Sequence, residues 1–139
     1  MNNTSYPTCL VSSCLVGLCT RYDARVLPDS RCLQALNRSQ WIPVCPEQLG
    51  GLPTPRERAV LTNGDGHDVL AGRALVITAS GFDVTENFIR GADQVLLLAR
   101  AKSITTAVLK ARSPSCGVMG TIGVTAALLQ SHGFVLHEY

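Results

Sequence analysis

Nowhere in the 139 residues does an apolar run approach the roughly twenty needed to span a bilayer. The opening MNNTSYPT lacks the basic and apolar regions of a secretory signal, so the expected address is the cytoplasm. Charge is scarce as well: Asp, Glu, Lys and Arg make up 16% of the chain and the formal net charge is +2. That is too little to argue for nucleic acid or an anionic membrane as a partner. Neither G-x-G-x-x-G nor the Walker pattern occurs, which removes the common phosphate-cradling loops. Cys-x-x-Cys is missing too, and Cys14 and Cys19 stand too far apart to replace it, so a thiol redox protein is the weakest reading. No internal repeat and no low-complexity segment interrupts the chain.

What is present describes one ordinary globular domain, residues 1–139, with an apolar fraction of 46%. Six cysteines stand at 9, 14, 19, 32, 45 and 116. In a reducing compartment they argue for metal ligands, reactive thiols or inert buried thiols rather than a disulfide framework.

Residues 8–13, TCLVSS, read as a short buried strand that gives way to a loop at Cys14 and Gly17. Asp29 or Ser30 can cap a short helix from Arg31 to about Asn37, with Leu33 and Leu36 facing inward. A second strand, Trp41 to Val44, ends at Cys45. From Pro46 to about Gly81 the Gly and Pro punctuation predicts a long irregular loop, a shaped cover with one short strand around Ala74 to Thr78. Asp83 and Glu86 form a candidate capping box for a helix to about Lys102, whose Val84, Phe88, Ile89, Ala92, Val95, Leu96 and Ala99 recur at helical spacing. A third strand, Thr105 to Leu109, precedes SPSCG. A helix over Val124 to Ser131, closed by Gly133, leads to a last strand, Phe134 to His137. This alternation predicts an α/β sandwich with a mostly parallel sheet, whose ligands gather outside the carboxyl ends of the strands.

Cys14, Cys45 and Cys116 each follow a predicted strand, so in a parallel sheet they come to one edge. Cys9 lies inside a strand and Cys32 at the start of a helix, the places of small buried hydrophobes. Cys19 is a reserve ligand or a packing residue. On the residues alone, three reduced thiols, a three-cysteine zinc site and an iron-sulfur site remain open for Cys14, Cys45 and Cys116. Glu47, two residues beyond Cys45, is near enough to activate a water or protonate a heterocycle nitrogen, and its bland alternative is a loop carboxylate paired with Arg56.

The segments VSSCLVGLCTRYD (11–23), VCPEQLGGLPTPRE (44–57), GDGHDVL (64–70), FDVTENFIRGA (82–92), AVLKARSPSCG (107–117) and GVTAALLQSHG (123–133) run in order over nearly the whole chain. Together they resemble the DUF523 family of small proteins, which includes the 2-thiouracil desulfidases. The resemblance implies a Rossmann-like fold and a four-iron four-sulfur cluster held by Cys14, Cys45 and Cys116, with one iron free of protein ligand. It implies Glu47 and Ser113 as catalytic residues and a small thiolated heterocycle such as 2-thiouracil as the substrate, desulfurised without net redox change. The competing expectation is a non-catalytic cluster or metal carrier, with zinc as the alternative metal.

Several residues carry further expectations. Ser113 is otherwise a plain turn serine before proline, while Ser115 is placed to donate to a cluster sulfur. Arg21, Tyr22 and Asp23 can orient a substrate or pin their loop. Arg56, Lys110 and Arg112 can offset the charge of a cluster, and Gly50, Gly51 and Gly117 can let backbone pass close to it. His67, His132 and His137 are scattered and assigned to no metal. One departure stands out: relatives carry a longer segment before the last helix, where this chain has only residues 118–122 between Gly117 and Gly123.

Overall fold

In the computed structural model, which describes residues 6–139, Cys9–Ser12 (β1) is buried along its whole length. A four-residue run without a polar face can only be an inner strand, and β1 lies between Trp41–Val44 (β2) and Thr106–Leu109 (β5), itself buried throughout. Val135–Glu138 (β6) closes the far edge. The order is β2-β1-β5-β6 and every pairing is parallel, with Leu10 opposite Ile42 and Ala107, and Leu109 opposite Glu138. Pro43 is tolerated because β2 is an edge strand, where a missing N–H costs no ladder bond.

The two faces of the sheet carry separate cores. Cys9, Val11 and Val108 pack with Leu15, Cys32 and Leu36, the last two brought by Ser30–Ala35 (α1) and its C-cap. Leu10, Val44, Ala107 and Leu109 pack instead with Val95, Leu96 and Ala99 of Thr85–Ala101 (α4) and with Ala126, Ala127 and Leu129 of Val124–Ser131 (α5). Helix, sheet and helices thus form three layers of a Rossmann-like α/β fold. The expected Asp29 cap is present, accepting from the Cys32 N–H at 2.9 Å. Leu33, expected inward, is 38% exposed, because the inward stripe of so short a helix is the four-residue step from Cys32 to Leu36.

The stretch expected as an irregular loop with one short strand around Ala74 to Thr78 has that strand and further regular elements before it. It contains Pro46–Leu49 (α2), Ala59–Thr62 (β3), Gly66–Leu70 (α3) and Leu75–Thr78 (β4), with β3 and β4 paired antiparallel. Elements of four or five residues are too short to imprint a period, and both strands are only half-buried. They pack with Val69 and Val124 over Phe88 and Ala92 of α4. The capping box sits here too, at Asp65 and Asp68 rather than Asp83 and Glu86. At α4, Asp83 only accepts from the Thr85 N–H, and the Thr85 hydroxyl accepts from Val76 N–H at 2.9 Å, tying the helix start to β4. Asp65→Ala is expected to lower the unfolding free energy by about 1 kcal/mol, the usual value of an N-cap, readable as a lower urea midpoint with unchanged slope.

Candidate functional site

The chain passes from β1 outward to β2, then crosses back to place β5 on the other side of β1. The strand order therefore reverses between β1 and β5, and open α/β sheets bind their ligands in the crevice above such a point. Three segments leave the carboxyl ends there. A 3-10 turn, Ser13–Val16, carries Cys14; Cys45 is the N-cap of α2; the loop after β5 carries Ser113 and Cys116. Cys14, Cys45, Glu47, Ser113 and Cys116 all line one cavity of about 290 Å³, at the small end of ordinary ligand pockets.

The three thiols are neighbours in the electrostatic sense as well. Burial pushes each of them up, Cys116 most strongly; Lys110 and Arg21 oppose the rise at Cys14, and the Gln48 N–H and Arg56 oppose it at Cys45. Cys116 is further raised by like charge from Cys14 and Cys45. Thiols of this kind bind metal by giving up protons. Among the described residues no three Cys, His, Asp or Glu side chains stand close enough to hold a single metal ion. Tetrahedral zinc, with Zn–S of about 2.3 Å, would need its sulfurs about 4 Å apart, so the zinc alternative finds no support. A cluster takes each thiolate on a different iron, and a soft three-sulfur set beneath a cationic rim fits that chemistry.

Glu47 lies in the first turn of α2. Its Oε1 accepts from Arg56 Nε at 2.9 Å and its Oε2 from Ser115 Oγ at 2.9 Å, with side chains 13% exposed for Glu47 and 7% for Arg56. The pairing with Arg56 and a place in the cavity, set against each other in the sequence, hold together. Ser115 hydrogen-bonds the carboxylate rather than a sulfur. Ser113 Oγ accepts from the N–H groups of Ser115 and Cys116 at 3.1 and 3.0 Å, so its turn role and its place in the site also coincide.

Helix α2 is only four residues long and persists because α4 completes it. Asn87 and Arg90 donate to the Gly50 carbonyl, and Gln94 donates to that of Leu49. The helices touch backbone to backbone: a Cβ on Gly91 would run into the Pro46 carbonyl oxygen, and one on Gly50 into that of Asn87. Gly50, Gly51 and Gly117 do not line the cavity; Gly50 serves this crossing, and Gly117 turns tightly over Ser113.

Arg21 grips Asp23 through two bonds of 3.2 Å and lies 5.9 Å over the Tyr22 ring, which pins that loop while leaving Arg21 and Tyr22 on the cavity wall. The Arg21 hydrogen bond holds the Asp23 carboxyl below its usual range. Lys110 and Arg112 also line the cavity. Cys19 is exposed, donates to the Ala24 carbonyl and is no part of the cavity; Cys9 and Cys32 are core residues as expected. His67, His132 and His137 contact Gln130, Arg100 and Tyr6, away from the site. Among the described residues no helix is long and apolar enough to cross a membrane.

Sequence reasoning missed Ser12, Thr20 and Arg58 as wall residues. Ser12 Oγ accepts from Lys110 N–H at 2.9 Å and so ties the end of β1 to that of β5. Arg58 could have been found from its two-residue spacing to Arg56, which in extended chain puts both on one side.

These features agree with comparisons to known proteins. The model of the 2-thiouracil desulfurase family matches residues 9–138. An uncharacterized protein, YbbK of Bacillus subtilis (strain 168), is 41% identical, with 90% of this chain and 91% of the relative covered. A solved structure of the [4Fe-4S]-dependent thiouracil desulfidase TudS is 36% identical over 96% of this chain and 91% of its own, with a TM-score of 0.75. With the match spanning nearly every described residue and the topology shared, the chain belongs to the 2-thiouracil desulfurase family.

Proposed function

We propose that this enzyme replaces the sulfur of a thiocarbonyl on a small heterocycle such as 2-thiouracil with the oxygen of water. The balance is one thiocarbonyl and one water giving one carbonyl and one hydrogen sulfide, with no net electron transfer and no external oxidant or reductant. Family membership carries the general activity, removal of sulfur by C–S cleavage. The observation that carries the site is the convergence of Cys14, Cys45 and Cys116 on one cavity with Glu47 and Ser113.

In this reading Cys14, Cys45 and Cys116 hold a [4Fe-4S] cluster. When bound, it supplies a Lewis-acidic iron without a protein ligand, able to hold a sulfur. The chain's own residues do the rest. Arg56 and Ser115 each engage one oxygen of Glu47, which fixes the carboxylate with lone pairs to spare for a proton from water. The same carboxyl then returns a proton to a ring nitrogen or to the departing sulfur. Ser113 accepts two N–H groups, so its own O–H remains as a donor to the heterocycle. Arg58, Lys110 and Arg112 make the rim cationic, which suits an electron-rich thiolated base. A carrier needs neither a held carboxylate nor a hydroxyl beside its sulfurs, and the walls of this cavity offer both.

The test is anaerobic reconstitution with iron and sulfide, followed by sulfide release from 2-thiouracil. Glu47→Gln is expected to retain iron while turnover falls by roughly 10²- to 10⁴-fold, the range of a lost general acid-base. Equal rates in the two proteins would remove Glu47 from the reaction, and a loaded wild type that releases no sulfide would leave the carrier.

A further inference from the structure

We propose that Arg56 is a positioning residue whose one guanidinium both orients Glu47 and donates to the Cys45 sulfur, joining the proton-handling carboxylate to the sulfur-bearing wall. The inference rests on the functional reading above for its cluster, and on the geometry of this chain for everything else.

A guanidinium has five N–H donors in a rigid fork. Here each has an acceptor. Nε donates to Glu47 Oε1 at 2.9 Å. Nη1 donates to the Pro53 carbonyl at 3.2 Å and to Thr54 Oγ1 at 2.8 Å. Nη2 donates to the Thr20 carbonyl at 2.8 Å and toward Cys45 Sγ at 3.8 Å. The Arg56 backbone N–H adds a bond of 2.8 Å to the Tyr22 carbonyl. Three segments are thereby clipped together: the turn region after Cys14, the first turn of α2, and the loop that leads to β3. The side chain is 7% exposed, and a cation so enclosed needs negative charge beside it. Glu47 supplies one partner, and a Cys45 thiolate is the other within reach.

Two consequences follow. Fixing Oε1 of Glu47 sets the direction in which the carboxylate handles its proton, so a slack guanidinium misplaces the acid-base group without removing it. Donating to the Cys45 sulfur draws electron density from any cluster held there, since hydrogen bonds to the sulfurs are among the determinants of cluster potential. Lysine, a point charge with three donors, cannot span both groups.

The experiment compares wild type, Arg56→Lys, Arg56→Gln and Glu47→Gln. The measurements are the midpoint potential of the reconstituted cluster, sulfide release from 2-thiouracil, and amide exchange over residues 18–24 in cluster-free protein. Both Arg56 variants are expected to shift the potential to more negative values and to lower kcat by about 10²-fold, the effect of a small misplacement, with KM nearly unchanged. Glu47→Gln, whose amide oxygen still accepts from Nε, is expected to lose turnover and keep the wild-type potential. Should Arg56→Lys fail to hold iron, Thr54→Val loosens the guanidinium while keeping its charge, and a smaller shift of the same sign is expected. A wild-type potential and rate in Arg56→Lys, or an equal potential shift in Glu47→Gln, overturns the proposal. Amide exchange over 18–24 that is no faster in Arg56→Gln overturns the clip whether or not a cluster is bound. A loaded wild type inactive on every thiobase defeats the functional reading alone, because the potential shift still decides Arg56.

Discussion

Cys45→Ala protein is expected to emerge from anaerobic reconstitution with iron and acid-labile sulfide at background and without the broad visible absorption of a cluster. Cys14→Ala and Cys116→Ala should behave alike, while Cys19→Ala and Cys32→Ala should retain the metal. Cys14, Cys45 and Cys116 share one cavity at the carboxyl ends of three adjacent parallel strands. Cys19 turns its sulfur to the Ala24 carbonyl, and Cys32 is sealed in the core on the inward side of α1. With two thiolates left, a cluster would expose a second iron to water and to loss. Sulfide release should fall to the level of cluster-free protein in each ligand variant. Stability of the cluster-free chain separates loss of a ligand from loss of the fold: Cys45 and Cys14 are only half-buried, so truncating them costs little in a urea melt. Iron retained by Cys45→Ala, or lost equally by Cys19→Ala, would end the ligand assignment.

The second large effect lies outside the cavity. Gly91→Ala should lower the unfolding free energy by about 1–2 kcal/mol, the upper part of the overpacking range less the propensity gain, although alanine in a helix interior is normally favoured over glycine by about 1 kcal/mol. The sign reverses because the new Cβ would run into the Pro46 carbonyl oxygen, backbone against backbone, where no rotamer change relieves the contact. Overpacking commonly costs about 1–3 kcal/mol and occasionally more, which exceeds the propensity gain. Since Cys45 is the N-cap of α2 and Glu47 lies in its first turn, the helix that yields also moves the site, and iron retention should fall together with stability. A thermal melt and an iron assay on one preparation measure both. A Gly91→Ala protein at least as stable as wild type, with full iron, would show that α2 and α4 do not meet as described.

The parts of the molecule legible in sequence share a physical trait. β1, β2 and β5 are short apolar runs ended by a cysteine or a turn, and α4 is long enough for its apolar residues to repeat over several turns. Glu47 is legible from its two-residue spacing to Cys45. Of the ordered segment from Pro46 to Thr78 only β4 is legible, as the strand expected around Ala74 to Thr78; α2, β3 and α3 span four or five residues each and are only partly buried. Leu33 misleads for a related reason: a six-residue helix offers one turn and a half, and either Leu33 or Cys32 could lead its inward stripe. Adjacency to Cys116 in sequence points Ser115 at a sulfur. The structure sends its hydroxyl to a carboxylate 68 positions away instead.

The order of residues was sufficient, by itself, to locate β1, β2 and β5, to mark β1 as buried, and to show which sulfurs lie past the strand ends. Those properties depend on local composition and on periods of two or 3.6 residues. Tertiary structure decided that the sheet runs β2-β1-β5-β6, so that three distant loops open into one crevice, and that Arg56 finds acceptors in Thr20, Cys45, Glu47, Pro53 and Thr54. Two of those acceptors are backbone carbonyls, groups that every residue carries alike. Their selection depends only on where the folded chain brings them, which no local pattern of side chains records.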